Sequence, residues 1–149
     1  MIDDYQISIV EHEKPKSVYS KKQIKSIIKF LLKKENVNLQ ASITIVVLGS
    51  RLMKEINRSF RNKNKDANSL SFPLANRGNF IVYGQKNFLG DIIINIDRIA
   101  SAKEFKKELL RNLIHSFLHL VSYGHENDKK EEKMKKREKE LLEELNETI

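Results

Sequence analysis

The chain has 149 residues, of which 40% are hydrophobic and 32% are charged, and its 28 basic and 20 acidic side chains give a formal charge of +8. This length fits one domain that buries a core without disulfides, and the lack of cysteine excludes thiol catalysis and cysteine-containing zinc sites. The sequence shows neither an apolar run of the about 20 residues that cross a membrane nor a signal-peptide pattern, so we expect a cytoplasmic protein with no membrane partner.

The positive charge lies in the first 127 residues. Residues 14–34 contain eight lysines and residues 51–65 contain six further cations, whereas residues 128–149 carry a net charge of −1. This distribution suits a polyanionic partner, with nucleic acid first and an anionic membrane surface second. A lysine-rich proteome produces the same composition without any partner, so charge alone leaves both interpretations open.

In the first half of the chain, the pattern predicts a strand over residues 6–10 and a helix that Ser20 caps, with Gln23 completing a capping box. The exposed face of this helix is cationic. A β-branched run over residues 41–48 predicts a second strand, and we expect Ser50 to cap the second helix.

In the second half, residues 70–74 predict a short strand, and Pro73 places it near a sheet edge or lies at the strand's end, because proline cannot donate to a ladder. Residues 75–90 are predicted to form a turn-rich segment with a small hairpin, and residues 89–95 are predicted to form a buried strand. Asp97 is expected to cap a helical region that runs to residue 123 as two helices.

The order of elements predicts one α/β domain of mixed α+β type over residues 1–149. It has a small mixed four-stranded sheet and about five helices, and the histidines described below predict a metal site at the end of a central helix. The charged C-terminal helix, residues 128–147, has a narrow apolar seam and belongs to this domain.

Three of the four histidines lie within eleven residues, at positions 115, 119 and 125. His115 and His119 are four residues apart, so they share one face of a helix and can bind one metal ion. The helix is expected to end near Gly124, which allows His125 to return as a third ligand. Three histidines and one water are the ligand set of a catalytic zinc site.

The same histidine offsets occur in metzincin proteases, in which a glutamate follows the first histidine and acts as the general base. Here that position is Ser116, which cannot replace a carboxylate. A protease-like site would therefore keep its metal and lose its base.

The stretch His115-Ser-Phe-Leu-His119-Leu-Val-Ser-Tyr123-Gly-His125 resembles the signature His-Gly-x-Leu-His-Leu-x-Gly-Tyr-Asp-His of the YbeY-type single-strand-specific endoribonucleases, or ribosomal RNA maturation factors. Two further segments are similar to the family. They are Asn57-Arg-Ser-Phe-Arg61 followed by Ser69-Leu-Ser-Phe-Pro73, and Leu89-Gly-Asp-Ile92. The resemblance covers nearly the whole chain.

The chain departs from the family signature at three positions. Ser116 and Ser122 replace glycines, and Gly124 replaces the aspartate before the last histidine. If that aspartate supports a ligand histidine, its loss weakens the metal site unless Glu126, Asp128 or Asp91 substitutes for it.

The resemblance implies an endoribonuclease with one Zn²⁺ ion bound by His115, His119, His125 and water. It implies single-stranded RNA as substrate, notably precursor small-subunit ribosomal RNA near its 3′ end, and a role in ribosome quality control. Ribosomal small-subunit proteins or an assembly GTPase are candidate partners. Arg61 and His115 are the expected catalytic residues, and the expected substrate-binding residues are Arg61, Ser71, Arg58 and Lys63.

Two other functions stay open at this point. One is a non-catalytic RNA-binding ribosome-assembly factor in which the metal is structural. The other, weaker one is the metzincin-like metalloprotease.

Overall fold

In a computed structural model, the chain forms a four-stranded sheet with helices on both faces. The structure describes residues 5–61, 67–73, 88–121 and 128–148. The strands are β1 Gln6–Glu11, β2 Ser42–Leu48, β3 Ser69–Pro73 and β4 Phe88–Asn95. The helices are α1 Lys21–Lys34, α2 Ser50–Arg61, α3 Ile96–Ala100, α4 Phe105–Leu120 and α5 Asp128–Thr148. The predicted fold class is confirmed.

The sheet order is β1-β2-β4-β3, with β1, β2 and β4 parallel and β3 antiparallel to β4. The strand that contains Pro73 is therefore an edge strand, and Pro73 is also its last residue, so both predicted placements of this proline are found. Its register pairs Ser71 with Ile92 and Pro73 with Gly90. Within the described ranges, no helix is long and apolar enough to cross a membrane.

Each sheet face buries its own apolar cluster. The larger cluster joins the sheet to α1, α3, α4 and α5, and includes fully buried residues such as Ile28, Ile45 and Phe117. The smaller cluster places α2 on the opposite face, where Met53 packs near Leu70 and Ile93. The edge strand β3 thus lies between α4 on one face and α2 on the other.

The local signals place α1 correctly. The Gln23 N–H donates to Ser20 Oγ over 3.1 Å, and Ile24, Ile27 and Leu31 are fully buried. The region after β4 forms two helices, as predicted, but α4 ends at Leu120 rather than at residue 123. The predicted hairpin lies mainly in residues 74–87, outside the described ranges.

Both other predicted caps are wrong. Ser50 is the first residue of α2, and the Gly49 carbonyl accepts the first helical bond from Met53 over 3.1 Å. Asn95, not Asp97, caps α3 by accepting from the Arg98 N–H over 3.2 Å. A buried asparagine at the end of a strand is already positioned to cap the next helix, so a cap two residues later is not needed.

Gly90 is required where β4 pairs with the end of β3. Its φ is +137°, and a Cβ there would collide with the Phe72 carbonyl oxygen and lie 2.9 Å from Leu120 Cδ1. We expect Gly90→Ala to lower the free energy of unfolding by about 2–4 kcal/mol, because strain and overpacking add. Urea denaturation measures this loss.

Gly49→Ala is the matched control for that substitution. Its Cβ would meet the end of the Asp97 side chain, 2.7 Å from Oδ2, rather than backbone. Asp97 accepts from the Ser17 N–H over 2.9 Å and can shift at the cost of that bond. Equal losses for the two variants would contradict the special role of Gly90.

Candidate active site

One face of α4 is polar and carries both predicted helix histidines. His115 and His119 lie one turn apart, with ring centroids 4.6 Å apart and an interplanar angle of 78°. The His115 side chain is 42% exposed, so solvent reaches this face. The i, i+4 spacing therefore places two imidazoles side by side at the surface, as predicted for a shared metal ion.

The predicted third ligand, His125, lies outside the described ranges, as do Ser122 and Gly124. Among the residues that the structure describes, no group of three or more histidine, aspartate or glutamate side chains can hold a metal ion. The structure thus brings together two of the three predicted ligands, and the complete metal site stays a prediction.

A glutamate that sequence reasoning missed contacts the first of these histidines. Glu138 of α5 lies with its Oε1 2.8 Å from His115 Nδ1, which donates to the carboxylate. The signal in the sequence is its position, because Glu138 falls on the apolar seam formed by Met134, Leu141 and Leu145. A charged residue at a seam position indicates a specific partner.

The sequence suggested Glu126, Asp128 or Asp91 as a substitute for the missing family aspartate, and none of these is the carboxylate found at His115. Glu126 and the Asp128 side chain lie outside the described part of the chain, and Asp91 lies on β4 opposite Phe72 of β3. Among the residues that the structure describes, Glu138 places a carboxylate on a predicted ligand. It approaches from the C-terminal helix rather than from the histidine motif.

Ser116 occupies a family glycine position and joins α4 to the edge strand. Its side chain is 2% exposed, and Ser116 Oγ donates to Ser69 Oγ over 2.8 Å. Ser69 Oγ in turn donates to Asn112 Oδ1 over 3.3 Å. A hydroxyl at position 116 is thus used to fix α4 against β3.

Ser71 lies on the sheet face that α4 covers. Side chains alternate along a strand, so Ser71 shares the face of Ser69. Pro73, two residues after Ser71, pairs with Gly90 of β4. Gly90 lies against Leu120 at the end of α4. Ser71 is therefore placed near the last turns of α4, where His119 lies.

The predicted arginines lie on α2, which reaches the same edge strand from the other face. Phe60 contacts Phe72 of β3, with ring centroids 5.6 Å apart, and Arg61 ends the helix at the next position. Arg58 is exposed and lines a surface depression of about 370 Å³ with Arg51 and Lys54. Lys63 and the Arg61 side chain are outside the described part.

The cations on α2 follow one face of the helix. Arg51, Lys54, Arg58 and Arg61 are spaced i, i+3, i+7 and i+10, so their Cα positions form a stripe that ends at the β3 edge. Arg51 pairs with Glu13 and Glu55 at the start of the stripe. Histidines on one side of β3 and cations on the other suit an anionic substrate.

A histidine pair with a carboxylate bonded to one ring, and a basic helix on the other side of the edge strand, is typical of metallohydrolases that act on anionic substrates. The sequence profile of the family described as Endoribonuclease YbeY matches residues 6–146. This chain therefore belongs to the YbeY endoribonuclease family, which confirms the resemblance and assigns RNA hydrolysis. That activity is consistent with ribosomal RNA maturation.

Curated relatives carry the name of this family, and a solved structure shares the fold. The chain is 31% identical to Endoribonuclease YbeY of Bacillus velezensis, over 93% of this chain and 94% of that protein. It is 36% identical to Endoribonuclease YbeY of Pelagibacter ubique, over 76% of each. The solution structure of TM1509 from Thermotoga maritima is similar, with a TM-score of 0.58 at 26% identity, covering 93% of this chain and 88% of that one.

Proposed function

We propose that this protein is a zinc-dependent endoribonuclease that cleaves single-stranded precursor ribosomal RNA of the small subunit near its 3′ end, in the cytoplasm. The observation that carries the proposal is the His115–His119 pair, with ring centroids 4.6 Å apart on the exposed face of α4, in a chain of this family. Ribosomal small-subunit proteins or an assembly GTPase would present the substrate.

His115, His119 and His125 would hold the ion, with water as the fourth ligand. The donor set fits Zn²⁺, because three neutral imidazoles and one water are a ligand set of catalytic zinc sites. His115 donates through Nδ1 to Glu138, so a neutral ring carries its lone pair on Nε2. When bound, zinc supplies Lewis acidity toward a phosphoryl oxygen and lowers the pKa of its water.

The protein's own residues would bind and orient the RNA. Arg61 is proposed to clamp the scissile phosphate, since a guanidinium fork fits phosphate bidentately and stabilises the charge that develops on it. Arg58 and Lys63 would contact neighbouring phosphates, and Ser71 would line the pocket beside α4. Product ends identify the nucleophile, because 5′-phosphate and 3′-hydroxyl products exclude attack by the RNA 2′-hydroxyl.

The test is cleavage of a labelled single-stranded RNA and of its duplex, with the metal content of the same preparation. We expect about one zinc ion per chain, cleavage of the single strand, loss of cleavage with a chelator and recovery with Zn²⁺. A metal-bound protein without cleavage would indicate the non-catalytic assembly factor. A protein without stoichiometric metal would contradict the proposed site.

The protease alternative has no support from the structure. Ser116, at the position of the metzincin glutamate, is buried and bonded to Ser69 of the edge strand. It is a hydroxyl held by the edge strand and cannot act as the carboxylate base of that mechanism.

The α2 stripe leads to a prediction about RNA affinity. We expect the double variant Lys54→Gln, Arg58→Gln to weaken binding of single-stranded RNA. It should also reduce the slope of log K against log salt by about 1.4, since each phosphate contact on a single strand contributes roughly 0.7. Fluorescence anisotropy at several salt concentrations measures both effects.

The matched control is Lys25→Gln, Lys33→Gln on α1, which lies on the opposite face of the sheet. Both lysines are exposed, and the change in net charge is identical. The control should leave the salt slope within about 0.3 of wild type, because contact rather than net charge sets the slope. Equal salt slopes for the two double variants would show that the α2 stripe does not contact the RNA backbone.

A further inference from the structure

Glu138 occupies a position at which α5 otherwise buries apolar side chains. Met134, Leu141 and Leu145 are fully buried, and together with Glu138 they are spaced i, i+4, i+7 and i+11. A carboxylate on such a seam is costly unless it is paired and hydrogen-bonded. The Glu138 side chain is 25% exposed, and its partner is His115 of α4 at 2.8 Å. The contact with His115, not packing, explains this residue.

The attachment of α5 to its neighbours determines where the Glu138 carboxylate lies. Arg137 Nε donates to Glu35 Oε1 just beyond α1 over 2.6 Å, and both side chains are largely buried. A second ion pair joins Lys34 to Glu144 at 2.8 Å. Adjacent helix residues project in different directions, so Arg137 engages α1 while Glu138 engages α4. These contacts and the buried seam hold the carboxylate against the histidine face.

We infer that Glu138 is a positioning residue for the metal ligand His115, an inference that rests on the proposed function. Its carboxylate accepts the Nδ1–H, which fixes the ring orientation and selects the tautomer with its lone pair on Nε2. A carboxylate behind a ligating imidazole also makes the imidazole a stronger donor. The C-terminal helix thereby becomes part of the metal site, although it supplies no ligand.

Metal affinity of the full-length apo-protein tests the inference, measured by competition between the protein and a chromogenic chelator for Zn²⁺. We expect Glu138→Ala to weaken Zn²⁺ binding by about 10–100-fold. Glu138→Gln should lose less, because its amide oxygen still accepts from Nδ1–H. Glu143→Ala, which removes the same charge from an exposed position of α5, should bind zinc like wild type.

Two further measurements separate positioning from a general effect on the fold. The double variant His115→Ala, Glu138→Ala should bind zinc with the same affinity as His115→Ala alone, because Glu138 acts only through the His115 ring. In apo wild type, ¹⁵N NMR at a pH where the ring is neutral should show His115 as the Nδ1–H tautomer, and Glu138→Ala should shift this population. If denaturant unfolding shows that Glu138→Ala is not stably folded, Glu138→Gln is used in the same measurements.

The failure of this inference differs from the failure of the proposed function. A wild type that binds zinc, with Glu138→Ala binding it equally well, overturns the inference alone. An equal loss in Glu143→Ala also overturns it, because the effect would then be one of charge. A wild type that binds no stoichiometric zinc contradicts both. RNA cleavage enters none of these measurements.

Discussion

Replacing His119 with alanine should remove the metal from the protein and abolish RNA cleavage. The substitution leaves at most two of the three proposed histidine ligands, so zinc affinity should fall by well over the roughly 100-fold that loss of an outer partner produces. Because the ion would supply several kcal/mol of transition-state stabilisation, cleavage should fall by about 1,000-fold or more. Zinc content after gel filtration and single-turnover cleavage measure the two losses.

His12→Ala is the control, because His12 is exposed and follows β1, far along the chain from the motif. It should keep the wild-type zinc content, cleavage rate and, within about 0.5 kcal/mol, the free energy of unfolding. His119 is half-buried, so the unfolding of His119→Ala is compared with that of His12→Ala. A folded His119→Ala protein with one zinc per chain and normal cleavage would rule out His119 as a ligand.

The elements that sequence reasoning predicted correctly depend on local interactions. The Ser20 cap and the apolar period of α1 are set by residues within one turn of each other, and the same holds for the pair of α4 histidines. The wrong caps failed for a tertiary reason. Asn95 and Asp97 are equally good cap residues by type, and only the point at which β4 ends and α3 begins decides between them.

Within the candidate site, too, the local contacts could be predicted from the sequence and the tertiary contacts could not. Spacing alone predicted that His115 and His119 would be side by side. The Glu138 contact joins helices whose residues are 23 positions apart, and no local pattern pairs them. The one sequence feature that points to this contact is a charged residue on the otherwise apolar seam of α5. The Ser116–Ser69 bond is similar, because a serine replacing a family glycine has no visible reason until β3 lies beside α4.

Arg61→Ala should lower RNA cleavage by about 100–1,000-fold while leaving zinc content unchanged, in line with the loss of one donor to a developing oxyanion. The reason is placement, because Arg61 ends α2 next to Phe60, whose ring contacts Phe72 of the edge strand. On this assignment the guanidinium acts on the scissile phosphate and not on the metal. Single-turnover cleavage and zinc analysis of the same preparation test both statements.

Two comparison variants decide whether charge or geometry is responsible. Arg61→Lys keeps the charge but not the bidentate fork, so it should recover only part of the lost rate. Arg58→Ala removes an exposed cation one turn earlier on the same stripe and should mainly weaken binding, because the contact of α2 with β3 is made at Phe60, next to Arg61. If Arg61→Ala lost no more cleavage than Arg58→Ala, Arg61 would be one backbone contact among several. The transition state would then depend on groups nearer the histidines.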